Sequence, residues 1–80
     1  MKLPRDVSGN QLAKALAVLR YLESRQSGSH IRLSTDVKGS HHVTIPKHNP
    51  MKLGTFKSIL DYVAAHHGIA RDELIRLIKL

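Results

Sequence analysis

Ser27-Gly28-Ser29-His30-Ile31-Arg32-Leu33-Ser34 joins a turn signal to a strict apolar–polar alternation, the pattern of a hairpin strand with one buried and one wet face. The period of two sends Ile31 and Leu33 to one side and His30, Arg32 and Ser34 to the other, so an imidazole and a guanidinium share an outer surface. Residues 21–26 before the turn are polar and weakly patterned and lead into the hairpin. On the far side, Thr35-Asp36-Val37-Lys38-Gly39-Ser40 reads as a loop. His42-Val43-Thr44-Ile45-Pro46 reads as a third strand that buries Val43 and Ile45 and stops at its proline. His42 and Thr44 then join His30 and Arg32 outside.

Helices flank this strand block. Upstream, Ser8-Gly9-Asn10-Gln11 matches a capping box, and Val7 is placed to staple onto Leu12. Leu12, Ala15, Leu16, Leu19 and Leu22 then fall at helical spacing, with Gln11, Lys14 and Arg20 left for solvent. Downstream, residues 47–53 form a loop containing Pro50, after which Phe56, Ile59, Leu60 and Val63 mark the buried stripe of a second long helix that Gly68 caps. Ile69 can fold back on it, and Asp72 and Glu73 suit the first turn of a last short helix whose apolar side is Leu74, Leu77 and Ile78. The expected architecture is α+β, in the order α-β-β-β-α plus a short C-terminal helix, with helices on one face of a three-stranded antiparallel sheet and the other face open. Residues 1–80 read as a single domain, with no repeat, low-complexity tract or linker.

A chain of 80 residues hides only about 60% of the surface it exposes when unfolded, so a site on it should be a shallow surface rather than an enclosed cavity. Its 13 Lys and Arg against 6 Asp and Glu give a formal charge of +7, which favours an anionic partner, nucleic acid or an acidic protein. The excess is concentrated: between Arg20 and Lys57 lie seven basic residues and only Glu23 and Asp36 as acids. The absence of cysteine removes disulfides, thiolate nucleophiles and sulfur-ligated zinc, and suits a reducing cytosol. Met1-Lys2-Leu3-Pro4-Arg5 has no apolar signal core, and the apolar-rich stretch Leu12 to Leu22 is broken by Lys14 and Arg20. A soluble cytoplasmic protein without membrane contact is expected. No cofactor or metal is expected either, because neighbouring strand histidines point to opposite faces and few carboxylates could complete a site. With only Tyr21, Phe56 and Tyr62 as aromatics, no base-stacking platform is evident.

Three segments carry a family resemblance: Arg25-Gln26-Ser27-Gly28-Ser29-His30, Val43-Thr44-Ile45-Pro46-Lys47-His48 and Leu53-Gly54-Thr55-Phe56-Lys57-Ser58-Ile59-Leu60. In this order and on these elements they resemble the HicA family of small toxin ribonucleases. With the opening helix and the Gly68-Ile69 junction, the resemblance extends over nearly the whole chain. It implies a double-stranded-RNA-binding-domain-like fold. It also implies the toxin half of a toxin–antitoxin pair, cleaving messenger RNA independently of the ribosome and held inactive by a HicB antitoxin. The family's catalytic histidine closes Gly-Ser-His and corresponds to His30. Two positions depart from the family pattern: Arg20, where a glycine usually precedes the first strand, and Ala70, where a serine usually caps the last helix.

An imidazole, whose ordinary pKa is about 6.5, can accept a proton at neutral pH, and RNA offers its ribose 2′-hydroxyl as a nucleophile. The chemistry expected is removal of that proton by His30, attack on the adjacent phosphorus, and stabilisation of the added charge by Arg32 and nearby lysines. The products would carry a 2′,3′-cyclic phosphate and a 5′-hydroxyl, and DNA, which lacks the nucleophile, would survive; no DNA contact by this chain alone is expected. His42, His48 or water could protonate the leaving oxygen. Arg25, Ser29, Arg32, Lys47, His48, Lys52 and Lys57 are the candidate RNA-binding residues. Lys52 and Lys57 flank the start of the second helix, where free N–H groups attract phosphate, although solvated helix-end lysines look the same. His41, His66 and His67 are expected at the surface, the last two suiting a helix C-terminus. Two other functions share most of these features: a non-catalytic double-stranded-RNA-binding module, and a basic surface that docks an acidic protein. Gly28-Ser29-His30 is what separates the first reading from them.

Overall fold

Ser8 opens the first helix, α1 (Gly9–Ala15), with the reciprocal bonds of a capping box: the Gln11 amide donates to Ser8 Oγ at 3.1 Å and the Ser8 amide to Gln11 Oε1 at 2.8 Å. The computed structural model describes residues 3–80, so the reading of Met1 and Lys2 as a start without a signal core lies outside the described residues. The helix ends sooner than its leucine spacing predicts. A 3₁₀ turn (Leu16–Leu19) tightens the chain, and Arg20 then takes the left-handed conformation at φ 63°, ψ 27°. Leu22, expected on the helix's buried stripe, instead starts strand β1 (Leu22–Ser27) and is 71% exposed. Its spacing from Leu19 is an accident of composition, because the left-handed residue between them resets the direction of the chain.

Strands β2 (His30–Thr35) and β3 (His41–Pro46) complete an antiparallel sheet in the order β1-β2-β3. Ile31, Leu33, Val43 and Ile45 are buried as the alternation requires, while His30, Arg32, His42 and Thr44 are exposed. Thr35, read as a loop residue, belongs to β2: it is buried, and its hydroxyl donates to the Leu19 carbonyl at 2.9 Å. All six residues of β1 are exposed, so this edge strand extends past the helical layer with water on both faces.

Helix α1 and helix α2 (Leu53–His67) pack on β3, and α3 (Arg71–Ile78) packs in turn on α2 and the 3₁₀ turn. Phe56, Ile59, Leu60 and Val63 join Leu12, Leu16 and the inward strand residues in one apolar cluster. Gly68 ends α2 at φ 68°, a conformation glycine adopts without a Cβ penalty. In α3 the buried residues are Leu74, Ile75 and Ile78, and Leu77 is exposed, which corrects the expected stripe. The helix lies against both α2 and the 3₁₀ turn, and this shared groove turns its buried side toward Ile75. No helix among the described residues is long and apolar enough to cross a membrane.

Candidate active site

The strand register arranges the open face in three rows. Ser27, His30 and Pro46 form the first, Arg25, Arg32 and Thr44 the second, and Leu22, Ser34 and His42 the third. Successive rows are two residues apart along β2 and β3, or about 7 Å, while on β1 a bulge between Glu23 and Arg25 makes the last step, from Arg25 to Leu22, three residues. The three rows contain two arginines and two histidines and no carboxylate. Arg25 and Arg32 stand directly opposite each other on neighbouring strands, a like-charge pair that costs on the order of 0.2–1 kcal/mol and is relieved by an anion bridging it. Neither forms an ion pair among the described residues.

His30 opens the central strand, exposed and one row from this pair. The end of β3 is fixed beside it. The Lys47 amide donates to the Ser29 carbonyl at 2.7 Å, carrying the ladder one step past β3, and the His48 carbonyl accepts from the Gly9 amide at 2.9 Å. Gly9 is required there, since a Cβ on it would meet the Pro46 carbonyl oxygen at 1.9 Å. The first turn of α1 thus braces residues 46–48 against the start of β2.

In the third row, Ser34 Oγ lies 2.7 Å from His42 Nδ1 and donates to Ser24 Oγ at 3.1 Å, and Ser24 Oγ donates to the Arg32 carbonyl at 3.2 Å. With Ser34's own proton committed to Ser24, His42 donates from Nδ1 and keeps Nε2 free. Of the candidate RNA-binding residues, Arg25 and Arg32 lie on the open face and Ser29, Lys47 and His48 at its end. Lys52 and Lys57 do not join them. They belong to the helical layer, Lys52 capping α2 without a side-chain bond and Lys57 exposed on its first turns.

His41, His66 and His67, expected at the surface, are drawn together by the tertiary fold. The buried Tyr21 hydroxyl meets His41 Nδ1 at 2.7 Å and His67 Nε2 at 3.1 Å, and His67 is only 3% exposed. Having one proton, the hydroxyl donates to one ring and accepts from the other. His41 stacks on His66 with centroids 4.0 Å apart and planes at 8°, and lies against Tyr62 at 4.7 Å. His66 Nε2 donates to the Val37 carbonyl at 2.9 Å, and Lys38 Nζ to the His67 carbonyl at 2.9 Å. Burial lowers the pKa of His41, with His66, His67 and His42 adding to the effect; burial also lowers that of His67, reinforced by His66 and Lys38. Tyr21 is pushed up to about 12, by burial and then by Tyr62. The one sequence cue to this cluster is Tyr62 standing four residues before His66, one helical turn away.

Among the described residues no group of three or more His, Asp or Glu side chains is placed to hold a metal ion. The ring nitrogens of the rear cluster that have partners point at Tyr21 and Val37. The concavities do not include His30 or the arginine pair: one of about 520 Å³ is lined by Ala17, Arg20, Leu22, Asp36 and Val37, a neighbouring one of about 230 Å³ reaches only Leu22, Ser24 and Ser34 at the far end of the open face, and another of about 250 Å³ is lined by residues that include Val7, Met51 and Phe56. A small-molecule enzyme would be sought in such hollows, whereas a polymer needs a face.

The family model described as the HicA toxin of bacterial toxin-antitoxin matches residues 9–64, from the start of α1 to the penultimate turn of α2. No curated protein and no solved structure matches the chain.

Proposed function

The chain belongs to the HicA toxin family of bacterial toxin–antitoxin systems, and on that premise we propose that it is a metal-independent, ribosome-independent endoribonuclease that cuts messenger RNA with His30 as general base. The observation that carries this reading is the open face itself: an exposed histidine one row from an opposed arginine pair, on a surface whose three rows hold no acid. RNA laid along the rows meets the arginines with a phosphate and His30 with a 2′-hydroxyl. Arg25 and Arg32 then hold the phosphate whose charge grows during attack, and their mutual repulsion is relieved most when that charge is largest. Lys47 and Ser29, fixed at the end of the face, extend the same track.

Lys52 and Lys57 fit a different part of the substrate. Standing on the helical layer, they are placed for flanking phosphates rather than for the scissile one. HicA toxins pair with HicB antitoxins in general. For this chain the antitoxin is an acidic or mixed-charge protein that covers the open face and so competes with RNA. Residues 1–80 act as one domain, with α3 sharing the core that the family-matched segment builds.

Purified protein and its His30→Ala variant, incubated in EDTA with a single-stranded RNA, provide the test. Scission by the wild type alone, leaving 2′,3′-cyclic phosphate and 5′-hydroxyl ends, is the expected result. If neither protein cuts while both bind RNA equally, the catalytic reading fails and that of an RNA-binding module replaces it.

A further inference from the structure

We propose that His48 is the general acid that protonates the leaving 5′-oxygen, an assignment that rests on the ribonuclease function above. An acid and a base serving one phosphate must each come within about 3 Å of oxygens bonded to the same phosphorus. His42 does not meet this condition with His30. Ser34, the cross-strand partner of His42, is four residues from His30 along β2, a separation of about 13 Å, and His42 Nδ1 is engaged with the Ser34 hydroxyl.

His48 does meet it. His30 pairs with Pro46, and the ladder runs on through the bond from the Lys47 amide to the Ser29 carbonyl. Residue 48 follows one step beyond that bond, and strand geometry continued from Lys47 would set it diagonal to His30, a relation that puts α-carbons about 7–8 Å apart and lets long or aromatic side chains converge on one group. Its backbone is pinned by the Gly9 amide, and its side chain is exposed, free to approach a substrate. The sequence names His48 among three possible donors; the strand register and the Gly9 contact select it.

In the step, the His30 imidazole takes the 2′-hydroxyl proton as the O2′–P bond forms. The P–O5′ bond breaks, and a protonated His48 imidazole gives its proton to O5′. The RNA ends as a cyclic phosphate and a free 5′-hydroxyl, and the two rings regain their starting proton states by exchange with water.

The test uses an RNA that the wild type cuts, prepared with either oxygen or sulfur at the bridging 5′ position of the cut linkage. A thiolate leaves without being protonated, since thiols ionise near pH 8.5 whereas hydroxyls do so far higher. His48→Ala is expected to slow the oxygen linkage by about 10²–10⁴-fold while cutting the sulfur linkage within about 10-fold of wild type, and His30→Ala to be slow on both. His48→Gln, which keeps a hydrogen-bonding group but has no proton to give, should behave as His48→Ala does. Equal slowing of both linkages by His48→Ala, an undiminished rate on the oxygen linkage, or rescue by His48→Gln overturns the assignment. A wild type that cuts no RNA overturns the ribonuclease reading itself, so the two failures are distinct.

Discussion

The six histidines divide into two groups of three, one on the open face of the sheet and its end and the other packed against Tyr21 and α2, and the same side chain has opposite surroundings in each. His30, His42 and His48 are exposed, the first two each one row from the arginine pair, and His42 keeps Nε2 free while its Nδ1 meets Ser34. His41, His66 and His67 are stacked and hydrogen-bonded around Tyr21, with Lys38 nearby. The first arrangement suits proton exchange with a substrate. In the second, His41 and His67 resist protonation, because a charged ring at either position is desolvated and faces other groups that carry or acquire positive charge. Position in the fold, and not residue type, decides which histidines can do chemistry.

The sharpest way to break this division is to exchange its consequences. His30→Ala should remove about 10²–10⁴-fold of cleavage rate and leave the thermal midpoint where it was. Tyr21→Phe should do the reverse: it leaves His41 Nδ1 and His67 Nε2 without their shared partner, costs about 1–3 kcal/mol of stability, and spares the cleavage rate of the folded protein. Denaturation curves and initial rates measured on the same two variants decide the matter. A stable Tyr21→Phe, or a His30→Ala that melts early, would merge the two groups.

Acid sharpens the contrast further. His41 and His67 have folded pKa values below the ordinary 6.5, so between that value and their lowered ones the unfolded chain binds more protons than the folded one. Stability is therefore complete above about pH 6.5 and declines as the pH falls below it. Unfolding midpoints between pH 7.5 and 5 should show this decline, and His67→Gln, which cannot titrate, should flatten it. An unchanged slope in that variant would assign the acid sensitivity elsewhere.

The smallest effects belong to the two departures from the family pattern. Ala70 occupies the N-cap of α3 in extended geometry without a side-chain bond, three residues before Glu73. Ala70→Ser supplies the missing hydroxyl of a capping box and should add about 1 kcal/mol. Arg20→Gly relieves a left-handed residue and should add about 0.5 kcal/mol, part of the gain being returned as unfolded-chain entropy. Both are read from denaturant midpoints, and cleavage should not change in either.

These particulars show why some of the molecule was legible in the sequence. The alternation at residues 30–34 and 42–46 encodes facing directly, so the open face and its histidine follow from a local rule. The end of the first helix does not, because Arg20 takes a left-handed turn with none of the glycine that would announce it, and Leu22 was drawn into the wrong element. The rear cluster is harder still. Its members come from the residue before β1, the start of β3 and the C-terminal half of α2, and only the packed chain brings them together. His48 lies between these cases, visible as a candidate but selected only by register.

The contact of Gly9 with Pro46 has a kinetic consequence. The amides of Gly9 and Met51 are bonded across the same seam, to the His48 and Val7 carbonyls, and the Lys47 amide closes it on the strand side. None of these bonds can open alone without pulling on the others. The N-terminal turn and residues 46–51 therefore form one opening unit, whose three amide hydrogens should exchange with solvent on a common clock. A partner that grips this end of the molecule would slow all three together.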